Sequence, residues 1–192
     1  MFHRKAVLAT LLGCVALILT GCMPHMTVAE MKAQMPKRPA ELDRLNAFVG
    51  KWQMEGEARF AMLDEPLKVT GTSECKWEGD KWYAVEHGIM KMADFPETQG
   101  METWTYDVNA KKYRSTFVDS MGMTGMSEGR YDDKADTWHM TASSYGPWGS
   151  SVMKGTCHFT NPDTMEWKMT ECMGPFNMTK VMDMTGTAKR VK

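Results

Sequence analysis

Apolar and polar residues alternate along most of the chain after residue 50. The first such run, residues 50–62, alternates apolar or small side chains with charged ones, and residues 66–78 repeat the pattern. A period of two is typical of a strand with one buried face. Turn-forming residues separate further runs at roughly ten-residue spacing. The pattern predicts strands near residues 50–62, 66–78, 81–92, 99–107, 111–120, 125–132, 136–143, 150–160, 164–173 and 176–191.

The segment before the first strand has a different period. Leu42, Leu45 and Val49 recur at helical spacing, which predicts a short helix over Ala40–Val49 with Gly50 as its C-cap. The later sequence lacks the amphipathic helices that a parallel α/β sheet needs between its strands. The sequence therefore predicts an all-β protein, an antiparallel up-and-down β-barrel of about ten strands with a short N-terminal helix before the first strand.

The first 21 residues differ in character from the rest. A basic start precedes an apolar run, Ala6–Leu19, which is shorter than a membrane span of about 20 residues and typical of a signal peptide. Leu19–Cys22 resembles a bacterial lipobox, which implies cleavage before Cys22, its lipidation and a membrane anchor. Met23 in place of Asp implies the outer membrane, with the protein facing the periplasm. The alternatives are an ordinary secretory leader and an uncleaved anchor.

This interpretation divides the chain into a signal peptide (1–21), a lipidated cysteine with a flexible tether (22–39) and a single barrel domain (40–192). One or two helical turns are expected around Thr27–Met35. Without residues 1–21, 21 basic and 24 acidic side chains remain, a net charge of −3. This weak acidity argues against a nucleic-acid partner. A hydrophobic content of 43% with seven tryptophans argues against disorder.

The two ends of the strand series favour a barrel over a sandwich. Gly50 and Trp52 open the first predicted strand, and Arg190 lies near the end of the last, in phase with its apolar face. This arrangement is similar to the calycin pattern of lipocalins and fatty-acid-binding proteins. The resemblance implies that Arg190 packs on Trp52 and closes one end of the barrel. The alternative is a core tryptophan and a surface arginine; either way the predicted role is structural.

Several motifs resemble one particular family. Phe48–Glu57, Gly71–Glu74 and the run Thr105–Tyr113, which continues to Met121, are similar to the bacterial "domain of unknown function 1579" family. The similarity covers about residues 40–190. The resemblance implies a calycin-like barrel and carries no defined activity.

Methionine is the most unusual component of the composition. Twenty of the 21 methionines follow residue 21, against four leucines and one isoleucine. One interpretation is that methionine replaces these residues as core filler. The alternative is binding of Cu(I) or Ag(I), because thioethers are soft ligands and Met-x-Met on a strand points both sulfurs to one face. The candidate metal ligands are Met90, Met92, Met121, Met123 and Met126.

The lumen of the predicted barrel is the second candidate site. Ten strands enclose more space than side chains fill, which leaves room for a small ligand. Glu171 and Lys180 would interrupt an otherwise apolar lining and must pair, be hydrated or meet a ligand. The predicted lining residues are Met54, Trp167, Met169, Glu171, Met178, Lys180, Met182 and Met184.

The cysteines that follow Cys22 leave the disulfide question open. Cys75, Cys157 and Cys172 allow at most one internal disulfide. Strand alternation places Cys157 and Cys172 on opposite faces and disfavours that pair, so that Cys75 is a slightly better partner for Cys157.

Sequence motifs for catalysis are missing. The histidines after residue 21 (His25, His87, His139 and His158) stand singly, and neither Gly-x-Ser-x-Gly nor His-Glu-x-x-His occurs. No cofactor is predicted; the open alternatives are Cu(I) and a histidine-held haem, as in nitrobindin-like barrels. The sequence favours a non-catalytic protein that binds a small apolar ligand. The alternatives are a Cu(I)- or Ag(I)-binding protein and an interaction module with a filled core.

Overall fold

Ten antiparallel strands close into a barrel in the computed structural model, which describes residues 26–191. Each strand pairs with its neighbours in the chain, and the first pairs with the last. This confirms the predicted all-β, up-and-down, calycin-like barrel. The strands are β1 (Gly50–Phe60), β2 (Leu67–Glu78), β3 (Tyr83–Met92), β4 (Thr98–Asp107), β5 (Lys112–Asp119), β6 (Thr124–Asp132), β7 (Thr137–Gly146), β8 (Gly149–Asn161), β9 (Thr164–Met173) and β10 (Thr179–Val191).

Aspartates organise two of the turns that make this topology possible. Asp107 Oδ1 accepts hydrogen bonds from the backbone N–H groups of Asn109 and Ala110, at 3.0 and 2.9 Å. Asp132 does the same for the residues two and three positions after it. Such side chain to backbone bonds satisfy the turn without a strand partner, so the chain reverses and adjacent strands run antiparallel.

Residues 26–37 belong to a compact unit separate from the one that begins at Arg38. Within it, α1 (Val28–Ala33) is held by a capping box in which Thr27 and Glu30 exchange hydrogen bonds. These are the helical turns expected in the predicted tether. In the part of the chain from residue 26 to 191, no helix is both long and apolar enough to span a bilayer.

A 3-10 helix, Ala40–Ala47, precedes β1 and buries Leu42 and Leu45 against Trp138 and its neighbours. These leucines are three residues apart, so one turn of a 3-10 helix places both on the same side. The helix ends two residues before the predicted end at Val49. Gly50 is not its C-cap, because it already pairs as the first residue of β1, with a φ of +136°.

The start of β1 and the end of β10 define the closed end of the barrel. Arg190 lies opposite Trp52 across these strands, and its guanidinium carbon is 4.3 Å from the centre of the buried indole ring. Arg190 also donates hydrogen bonds to the carbonyls of Val49 and Ala47. Gly50 has a φ of +136°, which favours glycine, and a Cβ at this position would also meet the Arg190 guanidinium.

Candidate functional site

A cavity of about 450 Å³ occupies the lumen between the closed end and the opposite, open end. Strands β1 to β9 all contribute to its wall, and the lining is mainly apolar. Its size lies within the range of small-molecule sites, roughly 300–1,000 Å³. The apolar contacts come chiefly from Met54, Trp104, Phe117, Met140, Met153 and Trp167.

Two glycines leave part of the cavity wall bare. Gly88 and Gly100 lie directly opposite each other on β3 and β4 and line the cavity. A Cβ at either position would meet its nearest neighbour at 3.4 Å or more, which is ordinary contact. At Gly56, by contrast, a Cβ would lie 2.2 Å from a backbone carbonyl oxygen. The strands therefore do not need glycine at 88 and 100, and the effect of both glycines is to leave space.

Two carboxyl groups lie next to this bare wall. Glu86 on β3 and Glu102 on β4 are direct cross-strand partners, one inward row nearer the closed end than the glycines, and both line the cavity. Neither appears in an ion pair within the barrel as described, from Arg38 to Val191. We call Glu86 and Glu102 the carboxyl pair. Its two acids share an enclosed site without a basic partner.

Buried serines hold one member of the carboxyl pair. Ser115 Oγ on β5 donates to Glu102 Oε1 at 2.5 Å, and the hydroxyls of Ser115 and Ser127 are hydrogen-bonded to each other. Ser73 on β2 is also buried and lies beside Glu86 on the other side of the pair. The hydroxyls therefore orient the carboxyl groups without neutralising them.

Enclosure changes the protonation of this site. Burial raises the pKa of Glu102 to about 8, with a smaller contribution from the neighbouring Glu86. Burial likewise raises the pKa of Glu86, against a hydrogen bond from Ser73. The thiols of Cys75 and Cys157 have pKa values raised to about 12, also by burial first. Burial therefore shifts both carboxyl groups toward the protonated, uncharged form.

Only some of the predicted lining residues lie in the cavity wall. Met54, Trp167 and Met169 line the cavity. Met182 and Met184 are buried, but they pack around Ala58 and Val69 as core rather than cavity wall. Glu171 accepts a hydrogen bond from Ser151 Oγ at 2.5 Å.

The predictions for Met178 and Lys180 are wrong. A 3-10 turn, Pro175–Asn177, delays the start of β10, so Met178 lies in a loop with 81% of its surface exposed. The register with β9 then shifts between Lys180 and Met182. This bulge turns Lys180 outward, where it forms an ion pair of 2.6 Å with Asp183 rather than meeting Glu171.

The five methionines predicted as metal ligands do not converge. Met126 is 66% exposed on the outer face of β6. Met121 and Met123 lie at the β5–β6 turn, where the Thr98 hydroxyl donates to the Met121 sulfur at 3.0 Å. Met90 and Met92 instead pack with Met182 and Met184. From residue 26 to 191, no group of three or more His, Cys, Asp or Glu side chains could hold a metal ion.

Histidines do not contribute to the cavity wall in the described barrel. His87 and His139 are exposed on outward positions, and a ring nitrogen of His158 hydrogen-bonds to the Asp136 carbonyl at 2.7 Å. None of the three is therefore placed to hold a haem in the lumen. His25 and the lipidation residue Cys22 lie outside the described residues.

The three cysteines of the barrel are free thiols. Cys75 and Cys157 are buried on the inner face, and Cys172 is half-buried. Strand alternation predicted Cys157 and Cys172 on opposite faces. Cys157 is buried in the closed-end core and Cys172 is only half-buried, which agrees with that prediction.

The carboxyl pair is the part of the site that sequence reasoning missed. Alternation places Glu86 in phase with Ala84, and Glu102 in phase with Trp104, so both glutamates could have been assigned to an inner face. Their adjacency depends on the β3–β4 register, and a slip of one residue would have turned one of them outward.

Sequence comparison identifies the family, and structure comparison supports the fold. The "Protein of unknown function (DUF1579)" family matches residues 37–190. Rv2717c from M. tuberculosis is similar in structure, with a TM-score of 0.60 at 11% identity, over 81% of this chain and 100% of that one. Weaker matches include EF1p2_mFAP2b bound to DFHBI (TM-score 0.45, 10% identity, 76% and 95% covered). Another is a protein of unknown function of the DUF3598 family from Nostoc punctiforme PCC 73102, with a TM-score of 0.43 at 10% identity, over 77% of this chain and 49% of that one.

No protein in the curated set matches the sequence. Identities near 10% support the fold alone, whereas the family match spans nearly the whole described barrel. The chain therefore belongs to the DUF1579 family.

Proposed function

We propose that the barrel binds one small, mainly apolar organic molecule in its lumen and does not transform it. The observation that carries this proposal is the cavity of about 450 Å³ beside the bare wall at Gly88 and Gly100. An interaction module with a filled core would have no reason to leave side chains out at two facing positions where they fit. Burial of the ligand's apolar surface supplies the affinity.

The polar groups of the cavity favour binding over nucleophilic catalysis. The serine hydroxyls hydrogen-bond to one another or to a carboxyl group, and in the described barrel no histidine lies beside them to act as a base. Polar groups arranged in this way orient a ligand within an apolar pocket.

A fluorescent apolar probe tests the proposal. N-phenyl-1-naphthylamine, which is uncharged at neutral pH, should gain fluorescence on titration with the purified protein. Gly88→Leu places a side chain in the cavity and should weaken the probe's affinity by about tenfold or more. The matched control is Gln99→Leu, which adds the same side chain to the exposed face of β4 and should change the affinity less than about twofold. Absence of uptake by the wild type, or equal effects of both variants, would contradict lumen binding.

For location, we propose a lipid anchor at Cys22 in the outer membrane, with the barrel in the periplasm. The support is the lipobox-like Leu19–Cys22 after an apolar run of signal-peptide length. Cys22→Ser should release the protein into the soluble periplasmic fraction or leave it uncleaved. A cleaved Cys22→Ser variant that stays in the membrane fraction would contradict lipidation.

A second candidate function is Cu(I) binding, with a changed set of ligands. Met90, Met92, Met182 and Met184 pack in one cluster near the open end, with Met169 beside them. Thioether sulfurs are ligands that suit Cu(I). This cluster differs from the set of methionines that the sequence predicted as metal ligands. Competition against a Cu(I) chelator under anaerobic conditions should reveal one site that Met92→Leu with Met182→Leu removes. Retention no greater than that of the double variant would end this alternative.

A further inference from the structure

We propose that the ligand of the lumen is an amphiphilic monocation, an alkyl or aryl amine whose ammonium group lies between Glu86 and Glu102. The inference rests on the proposed binding function and names the chemical class of its ligand. Both carboxyl groups line the cavity and face each other across β3 and β4.

The charges of the cavity wall support a cation. Lys168 is the one basic residue that borders the cavity in the described barrel, and it belongs to the outward-facing set of β9 with its side chain exposed. Arg190, at the closed end, is occupied by Trp52 and backbone carbonyls. The carboxyl pair therefore lacks a protein cation, and a ligand with positive charge would supply it.

The geometry suits an ammonium group. Ser115 donates to one oxygen of Glu102, and both carboxyl groups line the cavity. Each carboxylate oxygen can accept more than one hydrogen bond, so the pair keeps capacity for further donors. An ammonium carries three donors and can bridge both acids. The bare wall at Gly88 and Gly100, one row toward the open end, provides room beside them.

The rest of the cavity suits the apolar body of such a molecule. Trp104 lies on β4 in the inward row next to Glu102, and Trp167 and Met54 face the same space. Aromatic faces attract cations, and methionine adapts to irregular apolar shapes. A bare metal ion fits less well, because a third metal-binding side chain is lacking among residues 26–191.

Protonation offers a way to recognise this mode of binding. Burial raises both pKa values of the carboxyl pair, that of Glu102 to about 8, which favours the neutral form of Glu102 at pH 7. An ammonium stabilises the carboxylate form, so its binding should release a proton. The other titratable groups near the pair are Cys75 from β2 and Cys157 from β8, whose pKa values are raised by burial to about 12. They remain neutral, so the released proton comes from the pair.

Isothermal titration calorimetry with three ten-carbon probes tests the proposal. Decylamine, decanol and decanoate share an apolar chain and differ in the head group. We expect decylamine to bind about tenfold or more tightly than decanol, with decanoate the weakest. Titrations at pH 7.5 in buffers of different ionisation enthalpy should show close to one proton released per decylamine bound and none for decanol.

Variants test whether the preference for decylamine depends on the carboxyl pair. Glu86→Gln with Glu102→Gln should remove the preference for decylamine and the proton release while leaving decanol affinity within about twofold. The matched control is Glu166→Gln on the exposed face of β9, which should leave both intact. Equal affinities for amine and alcohol in the wild type would overturn the inference, as would a preference that persists in the double variant. Failure of the proposed binding function is a separate result, in which none of the three probes binds.

Discussion

The closed end and the open half of the barrel use apolar residues in opposite ways. At the closed end, Trp138 packs edge-on against Phe48 and Tyr113, with ring centres 5.1 and 4.7 Å apart, above Leu42 and Leu45. In the open half, methionines dominate and the lumen stays partly empty. The loops there expose large apolar side chains, such as Trp148 at 63% and Phe176 at 93%.

This difference indicates that the closed end contributes most to stability and that the rest of the lumen holds the candidate site. At the closed end, the buried Trp52 indole donates to the Phe48 carbonyl at 2.7 Å. The open half encloses two carboxyl groups and a cavity, both of which cost stability. A well-packed closed end allows the other half to keep a site that packing alone would eliminate.

The largest predicted effect on stability comes from comparing one tryptophan in each of the two regions. Trp52→Ala at the closed end should lower the free energy of unfolding by about 3–5 kcal/mol, because a buried aromatic side chain leaves a cavity. Trp148→Ala at the open end should change it by less than about 0.5 kcal/mol. Urea unfolding of both variants measures this. A loss under about 1 kcal/mol at position 52 would contradict the closed-end account.

The pH dependence of stability should report the carboxyl pair. The pKa of Glu102 in the fold, about 8, lies above its ordinary value of 4.5, so its contribution is fully present below pH 4.5 and lost as the pH rises through 8. The free energy of unfolding should fall by about 2–4 kcal/mol between pH 5 and pH 8. Urea unfolding across this range should give a flatter profile for Glu86→Gln with Glu102→Gln. A wild-type profile that rises with pH is incompatible with an enclosed acid pair.

Removal of the closing arginine should have an intermediate effect. Arg190→Met keeps apolar contact with Trp52 but loses the cation–π contact and the hydrogen bonds to Ala47 and Val49. We expect a loss of about 1–3 kcal/mol. Thermal unfolding would measure it against Arg59→Met, a control whose arginine is mostly exposed. Equal melting temperatures for the two variants would argue against closure by Arg190.

The smallest effect distinguishes glycines that leave space from glycines that allow close approach. Gly88→Ala should leave stability unchanged or raise it by about 0.4–1 kcal/mol, since its Cβ makes ordinary contacts. Gly56→Ala should destabilise, because its Cβ would collide with the Thr185 carbonyl. Differential scanning calorimetry compares them. Similar melting temperatures would mean that the wall at Gly88 is not open.

The sequence predicts the elements better than the site. Alternation suffices to place ten strands because each strand has one buried face, whose period is local. The errors at Met178 and Lys180 come from a turn after Gly174 and a bulge at residue 181, which shift the phase without changing the composition. The sequence could not predict that Glu86 and Glu102 are neighbours, because this depends on the register between two strands. It also could not predict the unfilled volume beside them, which depends on packing in three dimensions.

The central claim is that the open half of the barrel holds ligand-accessible space, and xenon tests it most directly. Xenon occupies apolar cavities without needing a specific head group. Crystals of the purified protein under xenon pressure should show bound xenon in the lumen between Met54, Phe117 and Trp167. A lumen in which these side chains pack against one another, with no xenon between them, would contradict the account.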